Sequence, residues 1–390
     1  MTRVPLVLLC AIALLAPSVS GQDTRQGRVG ATGAAPYVPP RGSWQTREPA
    51  RAGMDAAKLA AAVAYAQTRD SPWGRDDYMA DQVRTFGRPL GPLPKSHGRT
   101  NGLVVRHGYI VAEFGDTSPV EPTYSIGKSY LSTLFGLALD RGLVRRVTDR
   151  VAEYVMDGGY DSPHNAQITW EHHLRQTSEW DGTLFEKPST FIGSEAFGAG
   201  EMKPRALRSP GTYYEYNDVR VNRFGLSLLR IWKRPLPDVL KTEIMDPIGA
   251  SETWRWIGYD NADVQVGGQT LRSVPGGTRW GGGVWMNTHD LARFGLLIAR
   301  MGRWDGRQLV STDWIRQATT RGGPSNAPDY GYMWWLNATG GTKGVPTTSF
   351  QARGGGSNTI FVDPEHDLVV VWRWHAGGDF FARVVAAITE

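Results

Sequence analysis

The sequence has 390 residues, with 43 Lys and Arg against 38 Asp and Glu, a net charge of +5, and the two signs of charge interspersed along the chain. It has no basic stripe with interleaved aromatic residues, so we expect no nucleic-acid partner. A chain of this length can bury a large hydrophobic core.

The first 20 residues have the layout of a secretory signal. Arg3 precedes an apolar run at positions 4–16, and small residues follow up to Ser20, which predicts cleavage after about Ser20. The run is shorter than the roughly 20 residues that span a bilayer, although an N-terminal membrane anchor remains the alternative. The only cysteine, Cys10, lies in this run. We therefore expect a secreted or periplasmic protein that has no stable membrane insertion, no disulfide and no cysteine nucleophile.

The next segments predict a linker, a helix, a hairpin and a second helix. Residues 21–53 are rich in Gly, Pro, Ala and Arg without an apolar period, which is typical of an extended linker or surface wrap. Residues 54–67 have apolar residues at helical spacing, and residues 102–116 contain two β-branched runs around a His-Gly turn. Residues 125–143 predict a helix whose first turn carries Ser125 and Lys128.

The remainder predicts a helical block followed by strands. Residues from about 145 to 279 show helical pieces broken by Pro and Gly, and residues 288–302 predict an amphipathic helix with Thr288 as N-cap. Three strand-like runs and a last helix follow, at 331–336, 358–362, 368–374 and 380–388. Because the N-terminal hairpin alone is too small to be stable, the two ends of the domain must share one sheet. We expect one domain over residues 54–390, with the helical block as an insertion beside the sheet and a cleft between them.

Ser125 and Lys128 form a Ser-x-x-Lys motif that suits nucleophilic catalysis. A serine hydroxyl is a weak nucleophile at neutral pH and needs a neighbouring base. The i, i+3 spacing puts both side chains on one helical face, and the helix dipole favours negative charge at the serine oxygen. Burial or nearby cations can lower the pKa of a lysine enough for it to act as that base. The alternative is an N-cap serine followed by a solvated lysine.

Several segments, in chain order, resemble the serine β-lactamase-related family, which includes class C β-lactamases, DD-peptidases, family VIII esterases and 6-aminohexanoate-oligomer hydrolases. These segments are residues 125–128, 168–178, 210–218, 280–294, 330–335 and 361–371. The resemblance covers about residues 52–388, and the stretches at 176–180 and 254–256 look most similar to the aminohexanoate-hydrolase-like branch. It implies an α+β fold of three α/β/α layers, in which helices flank an antiparallel sheet and a mostly helical subdomain is inserted.

The resemblance also implies a tyrosine partner for Lys128. Tyr216 takes the place of the family's Tyr-x-Asn tyrosine, a general base or proton relay. It would ionise only if nearby cations lowered a pKa that starts near ~10. Asp218 stands where the family usually has Asn. A competing match at Tyr259, followed by Asp and Asn, fits the bare pattern better but lacks the Pro-Gly-Thr context of residues 210–212.

The family's third motif corresponds to residues 352–356. By resemblance, backbone N–H groups at Gly354 or Gly355 join that of Ser125 in an oxyanion hole, although a glycine-rich turn is the simpler interpretation. Ala352 takes the place of the family's lysine. Asp218 and Arg353 are candidate substrate-binding residues, and the charge of Arg353 could offset that of Asp218. Strand alternation predicts, however, that Arg353 points away from the face that Ala352 and Gly354 use. These departures, with the added charge of Asp218, predict that a substrate carboxylate is disfavoured.

We therefore predict an exported serine hydrolase that forms an acyl-enzyme at Ser125 and hydrolyses a small ester or amide. The alternatives are a β-lactamase or DD-peptidase, or a non-catalytic penicillin-binding-like protein. We expect no cofactor and no metal, because His172 and His173 are adjacent and no His-Glu-x-x-His motif is present. The absence of a Gly-x-Ser-x-Gly elbow argues against an α/β-hydrolase.

Overall fold

The computed structural model describes residues 1, 36–75, 80, 82–83, 87–190 and 205–389. Residues Pro36–Glu390 form one compact unit. The predicted signal peptide and residues 21–35 of the predicted linker lie outside the described residues, apart from Met1. In the part of the chain that is described, no helix has both the length and the apolar character needed to cross a membrane.

The described helices and strands follow one another in a mixed order. The helices are α1 (Ala56–Gln67), α2 (Ile126–Asp140), α3 (Trp170–Leu174), α4 (Asp218–Trp232), α5 (Leu236–Leu240), α6 (Thr288–Ala299), α7 (Thr312–Ala318) and α8 (Phe380–Val385). The strands are β1 (Asn101–Arg106), β2 (Tyr109–Phe114), β3 (Glu121–Pro122), β4 (Thr183–Leu184), β5 (Lys187–Pro188), β6 (Arg255–Ile257), β7 (Asp263–Val266), β8 (Gln269–Arg272), β9 (Gly283–Met286), β10 (Arg303–Trp304), β11 (Arg307–Gln308), β12 (Trp335–Leu336), β13 (Phe350–Gly354), β14 (Asn358–Asp363) and β15 (Leu368–Arg373).

The main sheet has the strand order β12-β13-β14-β15-β1-β2, and every neighbouring pair is antiparallel. The hairpin β1–β2 comes from the N-terminal part of the domain and the other four strands come from its end. The prediction that the two ends share one sheet is therefore confirmed. Strands β1, β14 and β15 are buried along their whole length, as expected for a sheet that is covered on both faces.

Helices cover both faces of this sheet. Helices α2 and α6 pack on one face, where Leu103 and Ile360 join the large core cluster. Helices α1 and α8 pack with the other face, where Val104 and Trp372 join a second cluster. Alternate strand residues thus enter the two cores, as the period of two requires. The arrangement is the three-layer α/β/α architecture that the family resemblance implies.

The predicted helical block contains strands as well as helices. It holds α3, α4, α5 and a π-helical turn at Lys241–Met245, but also the hairpins β4–β5 and β7–β8. Gly267 and Gly268 connect β7 and β8, and both have the positive φ that a two-residue hairpin turn favours. Strand β6 pairs with β9, in a small sheet of order β3-β9-β6. Sequence periodicity missed these strands because each has only two to four residues.

Two local predictions can be compared with the structure. His107 and Gly108, with φ of 52° and 83°, form the turn between β1 and β2, which confirms the predicted hairpin. The predicted N-cap of α6 is wrong. Asn287 caps this helix by accepting a hydrogen bond from the Asp290 amide at 2.8 Å, whereas the Thr288 hydroxyl donates to Asn101 Oδ1 at 2.7 Å.

Candidate active site

Ser125 occupies the N-cap position of α2, at the point where the chain turns from β3 into this buried helix. Its side chain makes no capping hydrogen bond, so the hydroxyl is available for other contacts. Tyr124, the preceding residue, has a φ of 53°, a left-handed conformation that costs a non-glycine residue about 1–2 kcal/mol. Strained backbone of this kind is common where a functional side chain must be aimed.

Lys128 lies one helical turn after Ser125 and is only 1% exposed. Its Nζ atom donates a hydrogen bond to Ser125 Oγ at 2.7 Å and to Asp218 Oδ1 at 2.5 Å. Burial lowers the pKa of Lys128, and the positive charge of Arg279 lowers it further, whereas Asp218 opposes both effects. The structure thus brings Ser125 and Lys128 together, and Lys128 is not the solvated lysine of the alternative interpretation.

Asp218 begins α4 and receives a second cation from a distant part of the sequence. Arg279 Nε donates to Asp218 Oδ2 at 2.7 Å, and the two side chains belong to residues that are 8% and 5% exposed. Burial alone would raise the pKa of the Asp218 carboxyl, but Lys128 and Arg279 more than offset this and hold it below its usual range. Sequence reasoning missed Arg279, although it directly precedes the Trp-Gly-Gly-Gly stretch that carries part of the family resemblance.

Tyr216 lies beside this pair, in the loop that leads into α4. Its hydroxyl lies close enough to the Ser125 hydroxyl for that group to influence the pKa of Tyr216, and its ring centroid lies 4.6 Å from Lys128 Nζ. The ring also stacks on Trp335 at 5.8 Å. Burial and the charge of Asp218 raise the pKa of Tyr216, so the condition for a tyrosinate is not met. The geometry suits Tyr216 as a neutral hydroxyl that relays a proton.

Tyr259, the competing tyrosine, is buried elsewhere in the core. Asn222 Nδ2 donates to its hydroxyl at 3.3 Å, and its ring packs against Phe185 and Trp280. It does not line the cleft above Ser125. The structure therefore brings Tyr216, and not Tyr259, to the Ser-Lys pair.

Gly354 ends strand β13 where this strand presses against the approach to α2. A Cβ atom at Gly354 would overlap the Thr123 carbonyl oxygen, so only glycine fits there without a shift of the backbone. At Gly355 a Cβ would meet Trp73 at 2.9 Å and Tyr124 at 3.0 Å. Both glycines line the cleft. An oxyanion hole at this strand end requires the Gly354–Gly355 backbone to lie close to Ser125, and the absence of side chains at the two glycines allows this.

Arg353 lies on the opposite side of β13 from Ala352, as alternation predicts, but the cleft lies on the Arg353 side. Ala352 is 1% exposed and packs in the core, whereas Arg353 is exposed and lines the cleft. Its Nε donates to Gln351 Oε1 at 2.6 Å, and its guanidinium lies 5.5 Å from the Trp335 ring. Among the described residues, no carboxylate pairs with Arg353.

These positions remove part of the basis for the prediction that a substrate carboxylate is disfavoured. The Arg279 guanidinium neutralises the Asp218 carboxylate and Lys128 also binds it, so it presents little net negative charge to a ligand. Arg353 offers a positive charge on the cleft wall, although Ala352 has replaced the family's lysine. Alternation correctly places Ala352 and Arg353 on opposite faces of β13, but it does not say which face borders the cleft.

The cleft above Ser125 has a volume of about 1010 Å³. Aromatic rings supply much of its wall, from Trp73, Tyr124, Tyr213, Tyr214, Tyr216 and Trp335. Such walls are typical of pockets that bind small organic molecules. The residues identified from the sequence as site residues, which are Ser125, Tyr216, Asp218, Arg353, Gly354 and Gly355, line this cleft, and Lys128 lies directly beneath Ser125.

Paired charges support one side of the cleft. Glu179, in the segment most similar to the aminohexanoate-hydrolase-like branch, is fully buried and binds Arg205 at 2.6 Å and Arg220 at 2.7 Å. Glu215 binds the same two arginines, at 2.7 and 2.8 Å. Removing one partner of such a buried network leaves an uncompensated charge. The network therefore holds the loop before Tyr216 in place.

Over the described ranges, no three His, Cys, Asp or Glu side chains are grouped so that they could hold a metal ion. The Nδ1 atom of His172 instead accepts a hydrogen bond from the Thr169 amide at 3.2 Å, in a capping box at the start of α3. These residues therefore have a local structural role.

Comparisons with known proteins agree with the fold. The model of a family described as Beta-lactamase matches residues 98–387. A penicillin-binding protein homologue from Caulobacter crescentus is 17% identical, with a TM-score of 0.57 over 85% of this chain and 97% of that chain. A family VIII carboxylesterase is 16% identical, with a TM-score of 0.55 over 85% of this chain and 96% of that one.

A third solved structure, EstCE1, is a hydrolase with promiscuous acyltransferase activity. It is 14% identical, with a TM-score of 0.56 over 86% of this chain and 99% of that chain. At these identities the three structures show a shared fold. None of the curated proteins matches the chain by sequence.

Proposed function

Because the chain belongs to the beta-lactamase family, a family of serine hydrolases, we propose that it hydrolyses a small ester or amide through an acyl-enzyme at Ser125. One observation carries the proposal. Lys128 Nζ lies 2.7 Å from Ser125 Oγ at the base of a cleft large enough for a small organic substrate. A family VIII carboxylesterase and a hydrolase with acyltransferase activity share this fold, which supports acyl transfer as the reaction class.

In the acylation step, the neutral amine of Lys128 accepts the Ser125 hydroxyl proton while Oγ forms a bond to the substrate carbonyl carbon. The carbonyl π electrons move onto oxygen and give a tetrahedral oxyanion. Backbone N–H groups of Ser125 and of the Gly354–Gly355 strand end are the donors for this oxyanion in the proposal, each worth about 3–4 kcal/mol of barrier. The start of α2 adds its helix dipole.

The tetrahedral intermediate then collapses, and the bond to the leaving alcohol or amine breaks. The leaving group takes the proton from the Lys128 ammonium through the Tyr216 hydroxyl, which lies beside Ser125 and Lys128. In deacylation a water gives one proton to the neutral Lys128 and adds to the acyl carbon. The acid product leaves when Ser125 Oγ recovers that proton, so the enzyme returns to its starting state.

The second candidate, a β-lactamase or DD-peptidase, is supported by Arg353. Penicillin-like compounds and cell-wall peptides carry a carboxylate, and Arg353 presents a guanidinium on the cleft wall that no carboxylate of the described residues neutralises. A carboxylate pairs well with a guanidinium fork. A linear amide that ends in a carboxylate would use the same contact.

Covalent labelling and a substrate panel test the proposal together. A fluorophosphonate should add to Ser125, as shown by intact mass and peptide mapping, and Ser125→Ala should abolish both labelling and turnover. The panel compares nitrophenyl butyrate, an aminohexanoate amide and nitrocefin, with and without a chelator, which we expect to change nothing. Nitrocefin as the best substrate would favour the second candidate. Neither labelling nor turnover would favour a non-catalytic penicillin-binding-like protein and overturn the proposal.

We also propose that the protein is exported to the periplasm or secreted, on the evidence of the N-terminal sequence pattern. Expression of the full chain followed by cell fractionation and N-terminal sequencing tests this. We expect a mature chain that begins at about Gly21. Recovery of the uncleaved chain in the membrane fraction would support an anchor instead.

A further inference from the structure

Asp218 and Arg279 form a buried ion pair that the reaction steps above do not use. The two oxygens of the Asp218 carboxylate bind different basic side chains, Lys128 through Oδ1 and Arg279 through Oδ2. Gly277, two residues before Arg279, packs against the cluster of Lys128, Asp218 and Arg279. A Cβ at Gly277 would lie 3.5 Å from Lys128 Nζ and 3.6 Å from Asp218 Oδ1. The cluster is therefore largely buried and closely packed next to the nucleophile, with Asp218 and Arg279 at the cleft wall.

Two tyrosines, Tyr216 and Tyr259, also face this cluster, but burial raises the pKa of each and both stay neutral. The charges of the cluster therefore depend on the proton of Lys128. With Lys128 protonated, Lys128, Asp218 and Arg279 together carry a net charge of +1, and with Lys128 neutral they carry none. Burial disfavours net charge, so the largely buried cluster favours the neutral amine. Without Arg279 the preference would reverse, because only a protonated Lys128 would then balance the Asp218 carboxylate.

We propose that Arg279 is a positioning residue that acts through Asp218 to keep Lys128 able to accept the Ser125 proton. Asp218 holds Lys128 Nζ at the serine hydroxyl, and Arg279 cancels the negative charge that would otherwise trap the lysine as an ammonium ion. This inference rests on the proposed function, because it takes Lys128 as the base for Ser125. Neither Asp218 nor Arg279 is assigned a contact with the reacting carbonyl.

The test measures the rate of fluorophosphonate labelling of Ser125 as a function of pH, which requires no knowledge of the natural substrate. Arg279→Gln should move the acidic limb of the profile to higher pH by about one unit or more, because Lys128 then holds its proton against Asp218. Asp218→Asn should move the limb to lower pH, because Lys128 loses the carboxylate and faces Arg279 alone.

The double variant Asp218→Asn/Arg279→Gln provides the decisive comparison. It removes both charges, so the limb should return to within about half a unit of wild type and the rate to within about tenfold. Arg279→Lys, which keeps the charge, should retain the wild-type limb. The exposed ion pair of Asp263 and Arg272, with Nε at 2.7 Å from Oδ1, offers a matched control through Asp263→Asn/Arg272→Gln.

A structural role alone would lower labelling in each variant without moving the limb, and this result would overturn the inference. So would a double variant that labels more slowly than either single variant. If Arg279→Gln does not fold, Asp218→Asn is compared with the double variant. If the charge of Arg279 lowers the acidic limb in Asp218→Asn, neutralising Arg279 as well should bring the limb back toward its wild-type pH. Wild-type protein that is not labelled at Ser125 would instead contradict the proposed function.

Discussion

The two sides of the cleft differ in how their charges are paired. On the helix side, made up of Ser125, Lys128, Tyr216, Asp218 and Arg279, each ionic group is buried and bound to another. On the strand side, made up of residues 351–355, glycine backbone approaches the nucleophile and one exposed guanidinium faces the cleft.

This difference separates two tasks within one site. A closed set of buried charges has few ways to relax, so it sets the proton affinity of the nucleophile and its base. The exposed Arg353 side chain costs little to rearrange, so it suits contacts that vary with the ligand. We expect substitutions on the helix side to change kcat and those on the strand side to change binding or local backbone position.

The largest effect is expected for Lys128→Ala. Loss of the base should lower kcat by about 10³-fold, within the range for lost general-base catalysis, and should abolish fluorophosphonate labelling. Steady-state kinetics with the best substrate of the panel measures this, and Lys58→Ala on the exposed face of α1 is the control. A loss of less than about threefold would mean that Ser125 is activated by another group.

Tyr216→Phe is expected to lower kcat by about 10²-fold, because the hydroxyl that lies beside Ser125 and relays the proton is lost while the ring stacking remains. Tyr259→Phe is the matched control and should change kcat by less than about threefold. Thermal melting of both variants checks the fold. Damage from Tyr259→Phe alone would show that the motif has been assigned to the wrong tyrosine.

Gly354→Ala is expected to have an intermediate effect. The added methyl group would overlap the Thr123 carbonyl oxygen, so the strand or the approach to α2 must move, at a cost of about 1–3 kcal/mol in stability. The displaced oxyanion donors should lower kcat by about tenfold. Gly341→Ala, whose new Cβ would lie 4.0 Å from Thr339 Oγ1, is the control. Unchanged melting temperature and kcat would remove this strand end from the site.

The smallest effect is expected for Arg353→Gln, and it should depend on the substrate. For a substrate with a carboxylate, KM should rise about fivefold, the equivalent of about 1 kcal/mol for an exposed ion pair, with kcat unchanged. For neutral nitrophenyl butyrate, both constants should stay within about twofold. In the wild-type protein, added salt should raise KM for the carboxylate substrate and leave KM for the neutral ester unchanged, because salt screens an exposed ion pair. Equal effects on both would assign Arg353 to the structure of the strand and not to charge recognition.

Local patterns determined several parts of this protein. The i, i+3 spacing placed Ser125 and Lys128 on one helical turn, because the helix period depends only on the backbone. The β1–β2 hairpin followed from β-branched runs around His107 and Gly108. The shared sheet followed from the instability of an isolated hairpin. These features depend on neighbours in sequence or on a single packing requirement.

Only the tertiary structure decided which distant residues meet at the site. Arg279 reaches Asp218 across 61 residues, and no periodic pattern relates them. Tyr216 and Tyr259 both occur in a short Tyr-x-Asn-like motif, but only the packing of their loops shows that Tyr216 is the one beside Ser125 and Lys128. Alternation along β13 correctly divided Ala352 from Arg353, but the neighbouring elements determined which of the two borders the cleft. The physical reason is that spacing along a chain fixes the relative direction of side chains, whereas their surroundings arise only when separate elements pack together.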